Sequence, residues 1–215
     1  IDKIALSKQY QFIDAHVEEK IVDNNKINFS IIVDETEKYY VERVNIFGNS
    51  ITREDVIRNL LIVDEGDPYN KILHNKSVNS IKSRNIFGKV ESNVIDGSSP
   101  NMKVINFNIE EKPTGEISAG AGVGTNGGSV SFGIKENNFQ GKGIRLKTNL
   151  SIATETITGI FAITIPNYRY SDNSLTASFE RTEMDKLTIN GYKTERTGFS
   201  LGTGFEQYQD FYFSP

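Results

Sequence analysis

From Ile144 to Ile152 the chain alternates strictly. Ile144, Leu146, Thr148, Leu150 and Ile152 take one face, and Arg145, Lys147, Asn149 and Ser151 take the other. Period-two alternation of this kind predicts a strand with one oily face. The next run repeats it, with Ile157, Gly159, Phe161, Ile163 and Ile165 set against Thr158, Ile160, Ala162 and Thr164. In the glycine-rich stretch from Gly115 to Gly124, Ile117, Ala119, Ala121 and Val123 face Ser118, Gly120 and Gly122 in the same way. The pattern predicts strand after strand to about residue 208, with no helix-period segment to cover the oily faces. A β-sandwich would solve this by setting two sheets face to face, and a membrane barrel by facing lipid. The choice between them decides the function.

Before Pro113 the pattern differs. Ile27-Asn28-Phe29-Ser30-Ile31 returns as Ile105-Asn106-Phe107-Asn108-Ile109, and Val17-Glu18-Glu19-Lys20-Ile21-Val22 resembles Val90-Glu91-Ser92-Asn93-Val94-Ile95. These echoes, 78 and 73 residues apart and in the same order, predict one module repeated, with the first copy cut short at its start. The complete copy reads strand, helix, helix, strand, strand. Tyr40 to Phe47 is a strand by its β-branched content and by Gly48-Asn49 as the stop. Thr52-Arg53-Glu54-Asp55 resembles a capping box with Asp in place of Glu, followed at helical spacing by Val56, Ile57, Leu60 and Leu61, with Gly66 as the end. A second helix from about Asn70 turns Ile72, Leu73, Val78 and Ile81 inward. A hairpin of Val90–Ile95 and Lys103–Ile109 turns through Asp96-Gly97-Ser98-Ser99-Pro100.

Composition narrows the choices without settling them. The chain has 215 residues, a mean hydropathy of -0.40 and no apolar run near the ~18 residues of a membrane helix. Transmembrane strands escape that test, because half their residues face a polar lumen. A net charge of -4 gives no broad basic field for nucleic acid. Without cysteine there are no disulfides and no thiolate ligands. Neither a signal peptide at Ile1-Asp2-Lys3 nor a natural stop at Tyr212-Phe213-Ser214-Pro215 is evident, so a fragment of a longer protein is expected.

The order of elements resembles a POTRA domain, the periplasmic repeat of BamA-type outer-membrane assembly proteins. The residues carrying the resemblance are Val41-Glu42-Arg43-Val44-Asn45-Ile46-Phe47-Gly48-Asn49, Ile57-Arg58, Glu65-Gly66-Asp67-Pro68-Tyr69-Asn70 and Ile86-Phe87-Gly88-Lys89-Val90. Glu110-Glu111-Lys112-Pro113-Thr114-Gly115 then resembles the passage from the last POTRA domain into the barrel, and the strand pair Ile117–Val123 and Val130–Glu136, followed by Asn137-Asn138-Phe139-Gln140-Gly141-Lys142-Gly143, resembles the opening of that barrel. The resemblance implies an α+β fold (β-α-α-β-β) followed by antiparallel transmembrane strands. Residues 1–34 would be the C-terminal part of a penultimate POTRA domain, 38–112 the complete last one, and 115–215 about the first six strands of an incomplete barrel. It also implies an outer-membrane site with POTRA domains in the periplasm. The implied task is folding and inserting barrel proteins by offering a strand as template. Its partners would be unfolded outer-membrane proteins, accessory assembly lipoproteins, periplasmic chaperones and the lipid bilayer. The alternatives are a two-partner secretion transporter of the same architecture and, further off, a soluble periplasmic binding module.

The candidate residues follow from edges. Ile117, Ala119, Ala121 and Val123 lie on the first barrel strand, one side of the seam where a client strand would add by β-augmentation. Small side chains there also read simply as clearance for the lumen or a bend. Val90, Glu91, Ser92, Asn93 and Val94 form the strand that is an edge in the POTRA arrangement. Arg58 and Glu65 match positions that meet accessory lipoproteins in the family; most such charges are otherwise only solvated. No catalytic group, cofactor or metal site is expected. His16 and His74 fall in different modules, and Glu18-Glu19 and Glu110-Glu111 are strand neighbours facing opposite sides. Gly122-Val123-Gly124-Thr125-Asn126-Gly127 has G-x-G-x-x-G spacing, but an alternating strand follows where a nucleotide site needs a helix, so a hairpin turn at Thr125–Gly128 is expected. Phe139, Tyr168, Tyr170, Tyr208, Phe211, Tyr212 and Phe213 fall near strand ends, as interfacial girdles do.

Overall fold

The computed structural model describes residues 12–23, 26–124, 127–171, 173–187, 191–208 and 211–213. The chain divides into two compact units. The first ends at Ser50 and resumes from Leu60 to Glu111; the second takes Ile51–Asn59 and the chain from Lys112 onward.

In the first unit, β1 (Ile13–Asp23) and β2 (Lys26–Glu35) form an antiparallel hairpin. A three-stranded sheet follows, in the order β3 (Tyr40–Phe47), β5 (Met102–Glu111), β4 (Phe87–Asp96), with β3 parallel and β4 antiparallel to the central strand. Between β3 and β4 the chain forms α1 (Glu54–Arg58), grouped with the second unit, and α2 (Lys71–Ser83). Asn70 caps α2, its Oδ1 accepting from the N–H groups of Ile72 (2.9 Å) and Leu73 (3.2 Å). Val41, Val44, Ile81, Ile105 and Phe107 are at most 1% exposed and form the core of this unit. A β-bulge between Val41 and Arg43 explains why β3 lacks clean alternation: the extra residue lets Val41 and Val44, three apart, both point inward. At the strand's end Gly48 has φ +89°, and a Cβ there would lie 2.0 Å from the Ile109 carbonyl oxygen.

The two hairpins share a register at the echoed positions. Val17 pairs with Ile31 as Val90 pairs with Ile109, and Ile21 pairs with Ile27 as Val94 pairs with Ile105. Their surroundings differ. Val90, Ile105 and Ile109 are buried, whereas Val17, Ile21, Ile27 and Ile31 are 50–79% exposed.

The expected first helix is corrected. It stops at Arg58, and Leu60 and Leu61 lie beyond it, half-buried. The expected capping box is corrected too. The cap position is Arg53, which makes no side-chain cap bond, and the Asp55 carboxylate is gripped by the Arg53 guanidinium at 2.8 and 3.1 Å. Thr52 is buried, and its hydroxyl accepts from Asn138, 86 residues away.

The second unit carries an antiparallel meander: β6 (Gly115–Gly124), β7 (Gly127–Phe139), β8 (Ile144–Ala153), β9 (Thr156–Ile165), β10 (Ser174–Lys186), β11 (Tyr192–Tyr208) and β12 (Phe211–Phe213), each strand after β6 paired with the one before it. Register sets Ile117, Ile134, Thr148, Phe161, Phe179 and Phe199 in one row across the sheet, with Leu146, Ile163, Ala177 and Leu201 in the next. These rows are uncovered: Ile117 is 82% exposed, Ile134 54%, Phe161 47% and Phe199 74%. Arg181, Glu183 and Glu195 bound the oily band on β10 and β11. Hydroxyl pairs line the opposite face, with Thr158–Thr182 at 3.3 Å, Thr164–Thr176 at 3.1 Å and Ser178–Ser200 at 2.6 Å. A sandwich would bury the oily face under a second sheet. Among the described residues nothing covers it, and the sheet has the outward-apolar, inward-polar character of barrel strands. Of the girdle candidates, Phe139 ends β7 and Tyr168 opens the short 3-10 turn after β9. The side chains of Tyr170, Tyr208, Phe211, Tyr212 and Phe213 lie outside the described residues.

Candidate functional site

Strand β6 pairs with β7 alone among the described residues, and all ten of its residues are exposed. The direction of its free backbone groups follows from the register. Gly124 pairs with Gly127 across a two-residue connection, which only the hydrogen-bonded type of antiparallel pair can make. Alternation then turns the N–H and C=O groups of Glu116, Ser118, Gly120, Gly122 and Gly124 toward β7. At the far end the Asn137 N–H donates to the Thr114 carbonyl at 3.3 Å, in phase with that assignment. Ile117, Ala119, Ala121 and Val123 therefore point their N–H and C=O groups away from the sheet, and their side chains lie on the oily face. An incoming strand would find donors, acceptors and an apolar face at the same four residues. On the other face Ser118, Gly120 and Gly122 stand opposite Gly133, Ser131 and Ser129, so each pair joins a glycine to a serine. The turn residues Thr125 and Asn126 lie outside the described residues.

The three-stranded sheet has two edges of unlike character. Along β3, Val41 N–H donates to the Asp67 carbonyl (2.9 Å), Gly66 N–H to the Val41 carbonyl (2.8 Å), and Val44 N–H to Glu65 Oε1 (3.0 Å). The loop after α1 thus covers the first half of that edge. On β4 the Gly97 N–H donates to the Met102 carbonyl at 2.8 Å, which fixes the alternation. Glu91 and Asn93 bond back to β5, while Val90, Ser92 and Val94 turn their backbone groups outward. Their side chains point into the module, where Ser92 Oγ meets His74 Nε2 at 3.1 Å. Among the described residues, β4 is the open edge.

Arg58 and Glu65 sit apart in role. Arg58 Nε donates to Glu54 Oε1 at 2.7 Å, one turn back on α1. Glu65 is committed to the β3 backbone at the bulge. Glu65→Ala is expected to raise amide exchange at Val44 about tenfold, the loss of one charge-assisted hydrogen bond. Unchanged exchange would show that Glu65 is not what protects that edge.

His16 lies on β1, its Nδ1 3.9 Å from Asp34, and His74 lies buried on α2 against Tyr69 and Phe107. Burial pushes the His74 pKa below its ordinary 6.5, and Nδ1 has no hydrogen-bond partner. The unfolded chain therefore binds a proton more readily than the folded module. Stability is intact above pH 6.5 and is lost as pH falls from there through the lowered folded value. Urea denaturation from pH 8 to 4 should show that loss in the wild type, and His74→Leu should flatten it. A parallel loss in the variant would assign the acid sensitivity elsewhere. Among the described residues no group of three His, Asp or Glu is placed to hold a metal ion.

This geometry defines a class: an α+β module with one open edge, joined in sequence to a sheet with an oily outer face and a second open edge. Residues 39–112 match the POTRA family model, described as Surface antigen variable number repeat, and form a POTRA domain. The chain is 30% identical over 134 residues to the outer membrane protein assembly factor BamA of Neorickettsia risticii, covering 61% of this chain and 18% of that protein. It is 25% identical over 185 residues to BamA of Neisseria meningitidis, covering 83% of this chain and 23% of that protein. It therefore spans less than a quarter of the length of these relatives. Among solved structures, BamA from Haemophilus ducreyi lacking POTRA domains 1-3 matches 95% of this chain and 40% of its own, with TM-score 0.71 and 22% identity. CdiB from Escherichia coli matches 93% of this chain and 38% of its own at TM-score 0.56 and 11% identity. The chain is BamA-like in sequence and in fold: a POTRA domain followed by the antiparallel strands of a partial barrel.

Proposed function

We propose that this protein acts in the outer membrane as the central subunit of a β-barrel assembly machinery, folding and inserting barrel proteins on the open edge of β6. The observation that carries the reading is the coincidence, at Ile117, Ala119, Ala121 and Val123, of free backbone groups with an exposed apolar face. A backbone group left unpaired in hydrocarbon costs several kcal/mol. A client strand that pairs with β6 while entering lipid avoids that cost. The BamA relatives support the same reading over a CdiB-like one, since the BamA structure matches with the higher TM-score.

In this reading the POTRA module faces the periplasm, and its β4 edge holds unfolded client chains through Val90, Ser92 and Val94, with Glu91 and Asn93 exposing polar side chains beside them. The β1–β2 hairpin closes a preceding POTRA module whose helices would cover Val17, Ile21, Ile27 and Ile31. The stretch from residue 115 to 215 opens the barrel. Arg58 and Glu65 are each positions at which accessory lipoproteins would make contact, and periplasmic chaperones would deliver clients. The mechanism uses edges, so it calls for no cofactor and no catalytic side chain.

Depleting the full-length protein in its host and following the outer-membrane proteome tests the reading. Broad loss of unrelated barrel proteins is expected. Loss of a single secreted protein, with the other barrels intact, would instead identify a dedicated two-partner secretion transporter.

A further inference from the structure

Strand β6 is poorly specified by its own side chains. One face carries Ser118, Gly120, Gly122 and Gly124, and glycine-rich strands of this kind are prone to slip in register. A shift of two residues would keep every side chain on its present face. It would set Ala119 opposite Ile134 instead of Phe132, and move the template by about 7 Å along β7. The sequence itself invites such a shift, because Asn126-Gly127 is a stronger tight-turn pair than Thr125-Asn126. Something other than the strand's own packing must hold the observed register.

A polar corner at the base of β6 does so. The Thr114 hydroxyl donates to Glu136 Oε1, and the Thr114 carbonyl accepts from both the Asn137 N–H (3.3 Å) and its side-chain amide (3.4 Å). Glu136 Oε1 also accepts from the Asn138 N–H at 2.7 Å. Asn138 is only 7% exposed and bridges two elements: its Nδ2 donates to Thr52 Oγ1 (2.8 Å), and its Oδ1 accepts from the Gly143 N–H (2.8 Å). The Arg53 N–H donates to the Gly141 carbonyl at 2.8 Å. Gly141 has φ +69°, and a Cβ there would lie 2.0 Å from the Ile51 carbonyl oxygen, so the β7–β8 turn fits against residues 51–53 with no slack. The chain from Thr52 through Asn138 and Glu136 to Thr114 thus ties the first residues of β6 to a buried fixed point.

We propose that Thr52, Asn138, Glu136 and Thr114 form a register lock that fixes which residues of β6 are presented to a docking strand. These are positioning residues, and the proposal rests on β6 being the template. The loss of the lock would leave an edge in place but displace it by two residues, so clients would meet Ala119 where they should meet Ile117.

Disulfide trapping in the full-length protein in its native outer membrane tests this, with any cysteine outside these 215 residues, which themselves hold none, replaced by serine. Ala119→Cys with Phe132→Cys reports the observed register, and Ala119→Cys with Ile134→Cys the shifted one. Directly opposed positions bring Cβ atoms within disulfide reach, whereas the diagonal ones do not. With the lock intact only the first pair should oxidise. Asn138→Ala and the volume-neutral Thr52→Val should each raise the ratio of shifted to native cross-link about tenfold, as loss of a buried hydrogen-bond partner predicts. Thr52→Ser, which keeps the hydroxyl, should restore the wild-type ratio. A cross-link between Thr158→Cys and Thr182→Cys, on β9 and β10, confirms in each variant that the sheet has formed. An unchanged ratio in both Asn138→Ala and Thr52→Val, with that control intact, overturns the lock. The cross-links are read without a client, so the lock and the templating reading stand or fall separately. A shifted register with undiminished client insertion would keep the lock and count against the template.

Discussion

Replacing Ala121 with proline in the full-length protein is expected to slow client insertion at least about tenfold while leaving the β6–β7 hairpin paired. The asymmetry comes from register. The Ala121 N–H points away from β7, so proline removes a donor that only an incoming strand would use. The client carbonyl opposite it would then be unpaired in hydrocarbon. Gly122→Pro provides the contrast, because the Gly122 N–H faces β7 and its loss should loosen the hairpin itself. Ala121→Val keeps the N–H and should insert clients at close to the wild-type rate. Reconstituting each variant in lipid vesicles and timing the appearance of protease-resistant client separates the three. Wild-type kinetics in Ala121→Pro would mean that the outward N–H groups of β6 are not used.

The largest stability effect belongs to the other unit. Phe107 is 1% exposed at the centre of the POTRA core, with its ring 5.6 Å from that of His74. Phe107→Ala removes a large side chain from a packed site and is expected to cost about 3–5 kcal/mol. Amide exchange at Ile81 and Ile105 in the full-length protein should rise by more than about a hundredfold. Phe132→Ala, on the oily face of β7 where the ring is 54% exposed, should leave exchange in the POTRA module unchanged. If Phe107→Ala were tolerated as readily, the module's stability would not rest on this core. The comparison draws out the physical difference between the units: one buries its apolar residues against itself, while the other turns them outward.

Much of this architecture is legible in the sequence because it is written in local periodicity. The alternation in β8 and β9 names both the strands and their oily face. The echo of Ile27–Ile31 in Ile105–Ile109 locates the second strand of each hairpin, and the shared registers give it a structural counterpart. The failures of local reading are equally physical. Strand β3 alternates poorly because a bulge resets its phase at Glu42, and a bulge leaves no signature in hydropathy. Thr52 looks like a helix cap because its neighbours do; the Asn138 amide that engages it is far away in sequence. Leu60 and Leu61 continue a helical spacing, yet the chain leaves the helix at Asn59 and folds back so that Glu65–Asp67 pair with β3. Glu65 reads as a surface charge, although its carboxylate completes a strand edge. The four positions Ile117, Ala119, Ala121 and Val123 were legible as a face, but the direction of their N–H groups depends on a register that only the paired strands reveal. The corner at Asn138 could have been sought through Gln140-Gly141-Lys142-Gly143, where close glycines after a strand signal a backbone held tightly against something.

The most direct test of the central claim is site-specific cross-linking between β6 and a client stalled during insertion. Cysteines are placed singly from Glu116 to Gly124, against a cysteine on the client's terminal strand. Templating predicts cross-links that advance in step along the two strands, with every two-residue move on β6 matched by two on the client. Client cross-links that ignore position on β6, or that arise only at lumen-facing residues beyond β6, would contradict it.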